Sequence, residues 1–331
     1  MRSVWSVWSE RSERFVGKAG LAVGTALVLA ACSGGGGGSS SAGSGGSAGG
    51  AAGSAGSAAS ATPSPTPTPT RPPYGPVLST SIDPVTAALS QVAAAKSLTE
   101  LDTVLGTVGT SAQTAAKSLS KADEPATVTT AQTELVTALT SLAADAAKVR
   151  SDIKFHDVCA LGSAEAALGA SQGLTGVSAA LTKMTTAGYP TTFAVPELPK
   201  QQSRSLDNGT MVRRGKLRGE GEFKVDNGGS ADAVVSLALN GKAVHSVYVA
   251  KGQKATVEGV EDGTYEVYFS GGTDWDADAK GFTLDCRFSK FEDTLAFETG
   301  RTATTWQITL QPVADGNAKT SDVDPNSFPQ P

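Results

Sequence analysis

From Asp83 to about Met184 the apolar positions recur every three or four residues, the mark of amphipathic helices. Asp83-Pro84 reads as an N-cap followed by proline at the first helical position, with Val85, Leu89 and Val92 along one face. "SLTE", Ser97 to Glu100, is a capping box; behind it Leu101, Leu105, Val108, Ala112, Ala115 and Leu119 alternate steps of four and three. "DEP" at Asp123 to Pro125 breaks the chain before a third helix bearing Val128, Leu135, Leu139, Leu142, Ala146, Val149 and Ile153. A fourth, weakened by glycines, carries Leu174, Val177, Leu181 and Met184. Seams of this spacing pack as an antiparallel bundle of three or four helices.

From about Gly219 the period becomes two. Phe223 and Val225 alternate out of "EGEFKVDNGG", and "DAVVSLALNGKAVHSVYV" gives two strands joined by Asn240-Gly241, a strong hairpin signal. "QKATVEGVEDGTYEVYF" holds a strand, a turn at Glu261 to Gly263, and a strand with Tyr265, Val267 and Phe269 on one face. Phe282, Leu284, Cys286 and Phe288 share a face of "GFTLDCRF", and Trp306, Ile308 and Leu310 close the pattern. Seven or eight short strands with turns at this spacing predict an immunoglobulin-like or transthyretin-like sandwich.

Upstream of the helices the chain reads as an address and a tether. The apolar run Leu21 to Cys32 spans about a dozen residues, short of the roughly 20 that a membrane-crossing helix needs, and it has the proportions of a signal-peptide core. Its last four residues, Leu29, Ala30, Ala31 and Cys32, resemble the lipobox of bacterial lipoproteins. That resemblance implies cleavage before Cys32 and a diacylglycerol on its sulfur, and two acyl chains anchor far more durably than one. Residues 33 to 60 are almost wholly Gly, Ser and Ala and cannot bury enough apolar area to become ordered; as a random coil they reach roughly 30 Å. "TPSPTPTPTRPPYGP", Thr62 to Pro76, predicts stiff polyproline II adding on the order of 45 Å.

Charge narrows the partners. The chain holds 27 basic and 32 acidic side chains; the first 31 residues hold four and two of these, leaving 23 against 30, net −7. An acidic balance argues against nucleic acid, which needs clustered Lys and Arg. The local exception is "RRGKLRG", Arg213 to Gly219, either a solvated strand or linker or a contact with an anionic polymer or membrane surface.

Candidate chemistry is sparse. The stretch "GGTDWDADAKGFTLD" sets carboxylates at Asp274, Asp276 and Asp278, close to the rhythm of a calcium loop. Ala279 stands where such a loop turns on glycine, Asp285 where it ends on Glu, and the flanks are strands, so a polar β-turn with capping aspartates competes with a calcium site. Trp275 reads as a plug over the end of the sandwich. Export favours a Cys159–Cys286 disulfide between the domains. Against it, Cys286 shares the core parity of Phe282 and Phe288, which hides it from the bundle. His156 and Cys159 lie one helical turn apart, yet no orienting partner or oxyanion loop accompanies them.

The segment from about Gly219 to Pro329 resembles a C-terminal domain of uncharacterised bacterial exported proteins and lipoproteins, and is similar to PEGA-type surface sandwiches. "DAVVSLAL", "VYVAKGQKATVEGVEDGTYEVYFSGGTDWD", "FSKFEDTLAFET" and "WQITLQPVADGNAKT" carry the likeness, which implies no catalytic residues and leaves the helices uncovered. The expected organisation is a signal peptide (1–31), a disordered tether (32–80), a helical bundle (81–188), a linker (189–212), a β-sandwich (213–315) and a tail (316–331). This α+β multidomain chain is expected to be a lipid-anchored, extracytoplasmic, non-catalytic binding or structural module without a cofactor. Its expected partners are the membrane and another envelope protein or wall polymer. The alternative is a calcium- or small-ligand-binding receptor using Asp274 to Asp278, and a hydrolase ranks third.

Overall fold

A computed structural model describes residues 73–311 and 318–331, together with the backbone of residues 7–11. Cys32, the rest of the expected signal peptide and the tether up to residue 72 lie outside the described residues. Five helices come first: α1 (Tyr74–Val92), α2 (Leu98–Leu119), α3 (Thr129–Lys154), α4 (Leu161–Gly169) and α5 (Gln172–Thr186). Contacts run α1 to α2, α2 to α3 and α3 to α5, so the four longer helices make the bundle and α4 is a short brace that the helical pattern did not disclose.

The first helix corrects the expected boundary. Instead of starting at Asp83 it begins nine residues earlier, and Pro84 sits inside it. An interior proline costs about 3 kcal/mol. The extension buries Tyr74, Leu78 and Ile82 in register with Val85, Leu89 and Val92. At about 1.5–3 kcal/mol per large apolar side chain, that burial outweighs the proline. Residues 74 to 76, expected as polyproline, are therefore the first turn of a helix.

Local rules hold for α2 and α5. The Ser97 Oγ accepts the Glu100 amide at 3.2 Å while the Glu100 carboxylate reaches back to the Lys96 amide at 2.7 Å. Ser171 caps α5 through the Leu174 amide. The glycines that weaken α5 in isolation set its packing: a Cβ on Gly173 would lie 2.2 Å from the Leu142 amide nitrogen, so only glycine lets α5 close on α3. One buried polar knot closes the end of the bundle. Tyr74 donates its hydroxyl to Gln132, whose amide donates to the Leu119 carbonyl at 2.6 Å. Burial pushes the Tyr74 phenol up to about 12, with Glu124 adding to the shift.

The remainder is a sandwich of two sheets. One has the order β1 (Val7–Arg11), β10 (Thr304–Thr309), β3 (Gly221–Asn227), β6 (Gln253–Val260). The other runs β11 (Thr320–Asp322), β8 (Gly281–Phe291), β7 (Gly263–Asp276), β4 (Asp232–Leu239), β5 (Lys242–Val249), β2 (Met211–Arg213), with β9 (Leu295–Phe297) on β7. Pairing is antiparallel except between β10 and β3. Asn240 and Gly241 both take positive φ, as the tight β4–β5 hairpin requires. Phe223, Val235, Val247, Val267, Phe297 and Ile308 fill the space between the sheets.

The larger sheet is buried on its outer face as well, which explains why β4 and β5 read as nearly continuous apolar runs. Val234, Tyr248, Trp275, Phe282 and Cys286 form a second cluster there, with Leu206 of the linker and Cys159 packed against it. The Ser236 and Ser246 hydroxyls, 2.8 Å apart, satisfy each other within the same sheet. The expected tail is part of the sandwich: β11 pairs with β8, and Phe328 packs on Tyr268 and Phe288.

Candidate functional site

Three places gather polar or reactive groups. The first is the stretch with the acidic rhythm, which is strand as far as Asp276; the turn occupies residues 277 to 280. Gly271 and Gly272 bend β7 at a register shift, and a Cβ at Gly272 would lie 2.6 Å from that of Phe282. Asp274 takes φ +54° and turns its carboxylate inward. Arg204, from the linker, binds it through Nε at 2.9 Å and Nη2 at 2.8 Å, and the Arg204 amide adds a third bond at 2.9 Å. Thr283 donates its hydroxyl to the same carboxylate at 2.6 Å.

Asp276 accepts Arg204 Nη1 at 2.9 Å on one oxygen and the amides of Asp278 and Ala279 on the other. Asp278 is exposed in the turn. Two of the three aspartates considered for calcium are thus spent on one guanidinium and one Asx turn. Among the described residues no group of three or more His, Cys, Asp or Glu side chains is placed to hold a metal.

Electrostatics follow this geometry. The Arg204 hydrogen bonds hold the Asp274 carboxyl down to about 2, and Thr283 works in the same direction. The Ala279 amide, then Arg204, lowers Asp276, and the Asp274 hydrogen bond raises Arg204 above its ordinary value. The Asp274 side chain is only 2% exposed while that of Arg204 is 41% exposed, so the pair is anchored at its acidic end and screened by water at its basic end. Trp275, beside it, donates its amide to the Arg204 carbonyl and packs edge-on against Phe282 and Tyr248. It sits on the outer face of the larger sheet rather than over the end of the sandwich.

The second place is the junction of bundle and sandwich. After α3 the chain turns at His156, φ +61°, and residues 156 to 159 lie alongside β8. The Cys286 amide donates to the His156 carbonyl, the Asp285 amide to Asp157, and the Cys159 amide to Thr283, at 2.8 to 3.0 Å. Cys159 and Cys286 are joined, Sγ to Sγ 2.04 Å. Ser163 of α4 donates to the Thr283 hydroxyl at 3.0 Å, which carries the Asp274 network into the bundle. Cys286 does share a face with Phe282, but that face looks outward from the larger sheet, toward the linker and the α3–α4 loop. His156 contributes its carbonyl there and serves no nucleophile, because Cys159 is bridged.

The third place is an open groove of about 570 Å³ where α2 begins and α3 ends. Leu98, Ile153 and Phe155 line it, and Arg150 binds Asp102 at its rim with bonds of 2.9 and 3.2 Å. Phe155 is 62% exposed beneath the Lys154 ammonium. Arg204 and Thr283, which organise the first place, carried no signal in the sequence: each acts on a residue that spacing does not link to it. No family model, no curated protein and no solved structure matches this chain.

Proposed function

We propose that the chain is an extracytoplasmic lipoprotein, held on a cell membrane by lipid on Cys32, whose bundle and sandwich together form a rigid, non-catalytic binding or structural head. The junction carries this reading. Three backbone hydrogen bonds, the Thr283–Ser163 contact and the Cys159–Cys286 disulfide join the two parts at one seam. Persistent disulfides belong to oxidising compartments outside the cytoplasm. The Leu29–Cys32 lipobox and the Gly/Ser and Thr/Pro run that follows supply the address and the spacer. Within this reading the sandwich is immunoglobulin-like or transthyretin-like and akin to the PEGA-type surface domains. Cleavage before Cys32 removes β1 and leaves β10 as a free edge. Two of the three carboxylates that suggest a receptor for calcium, Asp274 and Asp276, are engaged by Arg204, which favours the plain module over that alternative. The test is lipid labelling. Cells expressing the chain and fed a tagged palmitate analogue are expected to label the wild type and not Cys32→Ala, with the labelled protein sedimenting with membranes. An unlabelled mature mass would refute the anchor.

A further inference from the structure

Between β2 and β3 the chain crosses from the edge of the larger sheet to the smaller one through residues 214 to 219. Exposure alternates along this strap: Arg214, Lys216 and Arg218 are exposed, whereas Gly215, Leu217 and Gly219 are partly covered. The inward positions are set by close packing. A Cβ on Gly215 would lie 2.8 Å from the Val244 carbonyl and 3.0 Å from the His245 ring, and one on Gly219 would lie 2.1 Å from the Val260 carbonyl. Leu217 packs on the inter-sheet core. With every second residue pinned inward, the three cations project from one side at intervals of about 6.6 Å, twice the rise of an extended residue. Arg213, at the end of β2, is exposed too, but its parity sets it beside the row rather than in it.

None of these four joins an ion pair among the described residues, so no described carboxylate neutralises the row. Glu220 follows directly and ends the run. We propose that this strap is a binding ladder for a linear polyanion, a polymer carrying at least one negative charge per about 6–7 Å. A single small anion meets one rung only; a repeating phosphodiester or carboxylate chain meets three, each released counterion adding to the affinity. The inference deepens the proposed function by naming the class of envelope polymer the head holds, and the contact itself needs no lipid anchor.

The experiment uses the full chain, purified in detergent, and long-chain inorganic polyphosphate as the probe. Binding is expected, weakening roughly tenfold or more between about 50 and about 200 mM salt, with free phosphate at equal phosphorus failing to compete. The triple variant Arg214→Glu, Lys216→Glu, Arg218→Glu is expected to lose at least tenfold, and the neutral Gln triple an intermediate amount. A charge-matched control, Lys121→Glu, Lys200→Glu, Lys319→Glu, is expected to bind nearly as wild type, all three variants keeping the wild-type melting temperature. Equal binding by the strap variant, equal loss in the control, or attachment to vesicles containing anionic lipid without attachment to polyphosphate would each overturn the ladder. Since binding is read on purified chain, its failure leaves the lipid-labelling result untouched, and the reverse holds too.

Discussion

At the scale of the residue, Asp274 is the most committed side chain in the molecule's polar network. It accepts four hydrogen bonds, three of them from Arg204, and it ties linker, sandwich and, through Thr283 and Ser163, the bundle. Its carboxyl falls from 3.8 to about 2 in the folded chain. A folded value below the unfolded one means stability that is present above 3.8 and lost as pH falls toward about 2, on the order of 2 kcal/mol. Asp274→Ala is therefore expected to destabilise by about 2 kcal/mol at neutral pH and to flatten that acid limb, with Asp278→Ala within about 0.5 kcal/mol of wild type. Denaturant titrations at several pH values measure both. An Asp278→Ala effect equal to that of Asp274→Ala would mean that the turn, not the Arg204 clamp, uses these carboxylates. The spacing of the aspartates was plain in the sequence, but their partner was not: Arg204 lies 70 positions away in a linker without periodicity.

Among the elements, the helices were legible where a long seam repeats and misread where a strong local signal competes with it. The Asp83-Pro84 pair looks like a start, yet the seam continues back through Ile82, Leu78 and Tyr74, and burial decides. α4 shows no helical period because its nine residues hold too few turns. Glycine had the reverse fault: in α5 it reads as weakness, but Gly173 is the contact with α3. Gly173→Ala is thus expected to cost about 3 kcal/mol, since the clash is with backbone and the helices must separate. Gly109→Ala in α2, where a Cβ would meet only the Ala143 carbonyl at an ordinary 3.7 Å, is expected to stabilise by about 0.5–1 kcal/mol through helix propensity. Melting of the two variants side by side tests this, and a neutral Gly173→Ala would contradict the close α3–α5 packing. The strands were legible from alternation in β3 and β6. The doubly buried β4 and β5 gave an apolar run whose second face sequence patterning does not assign.

For the whole molecule, the order of helices before strands follows from the change of period, whereas the seam between them depends on residues 127 positions apart. No local pattern announces that a loop after α3 will pair with β8. That seam turns two domains into one compact unit, and it is the feature on which the rigid head proposed above depends. Closing a loop of this length with a disulfide is worth about 4–5 kcal/mol in the chain-entropy account. The most direct measurement is equilibrium unfolding followed by two probes. Far-ultraviolet circular dichroism follows the helices, and in the chain cleaved before Cys32, which lacks Trp5 and Trp8, Trp275 and Trp306 fluorescence follows the sandwich that contains both residues. The oxidised chain is expected to give coincident transitions, and the Cys159→Ser, Cys286→Ser double variant to give earlier and separated ones. Separate transitions in the oxidised chain would contradict the single rigid head.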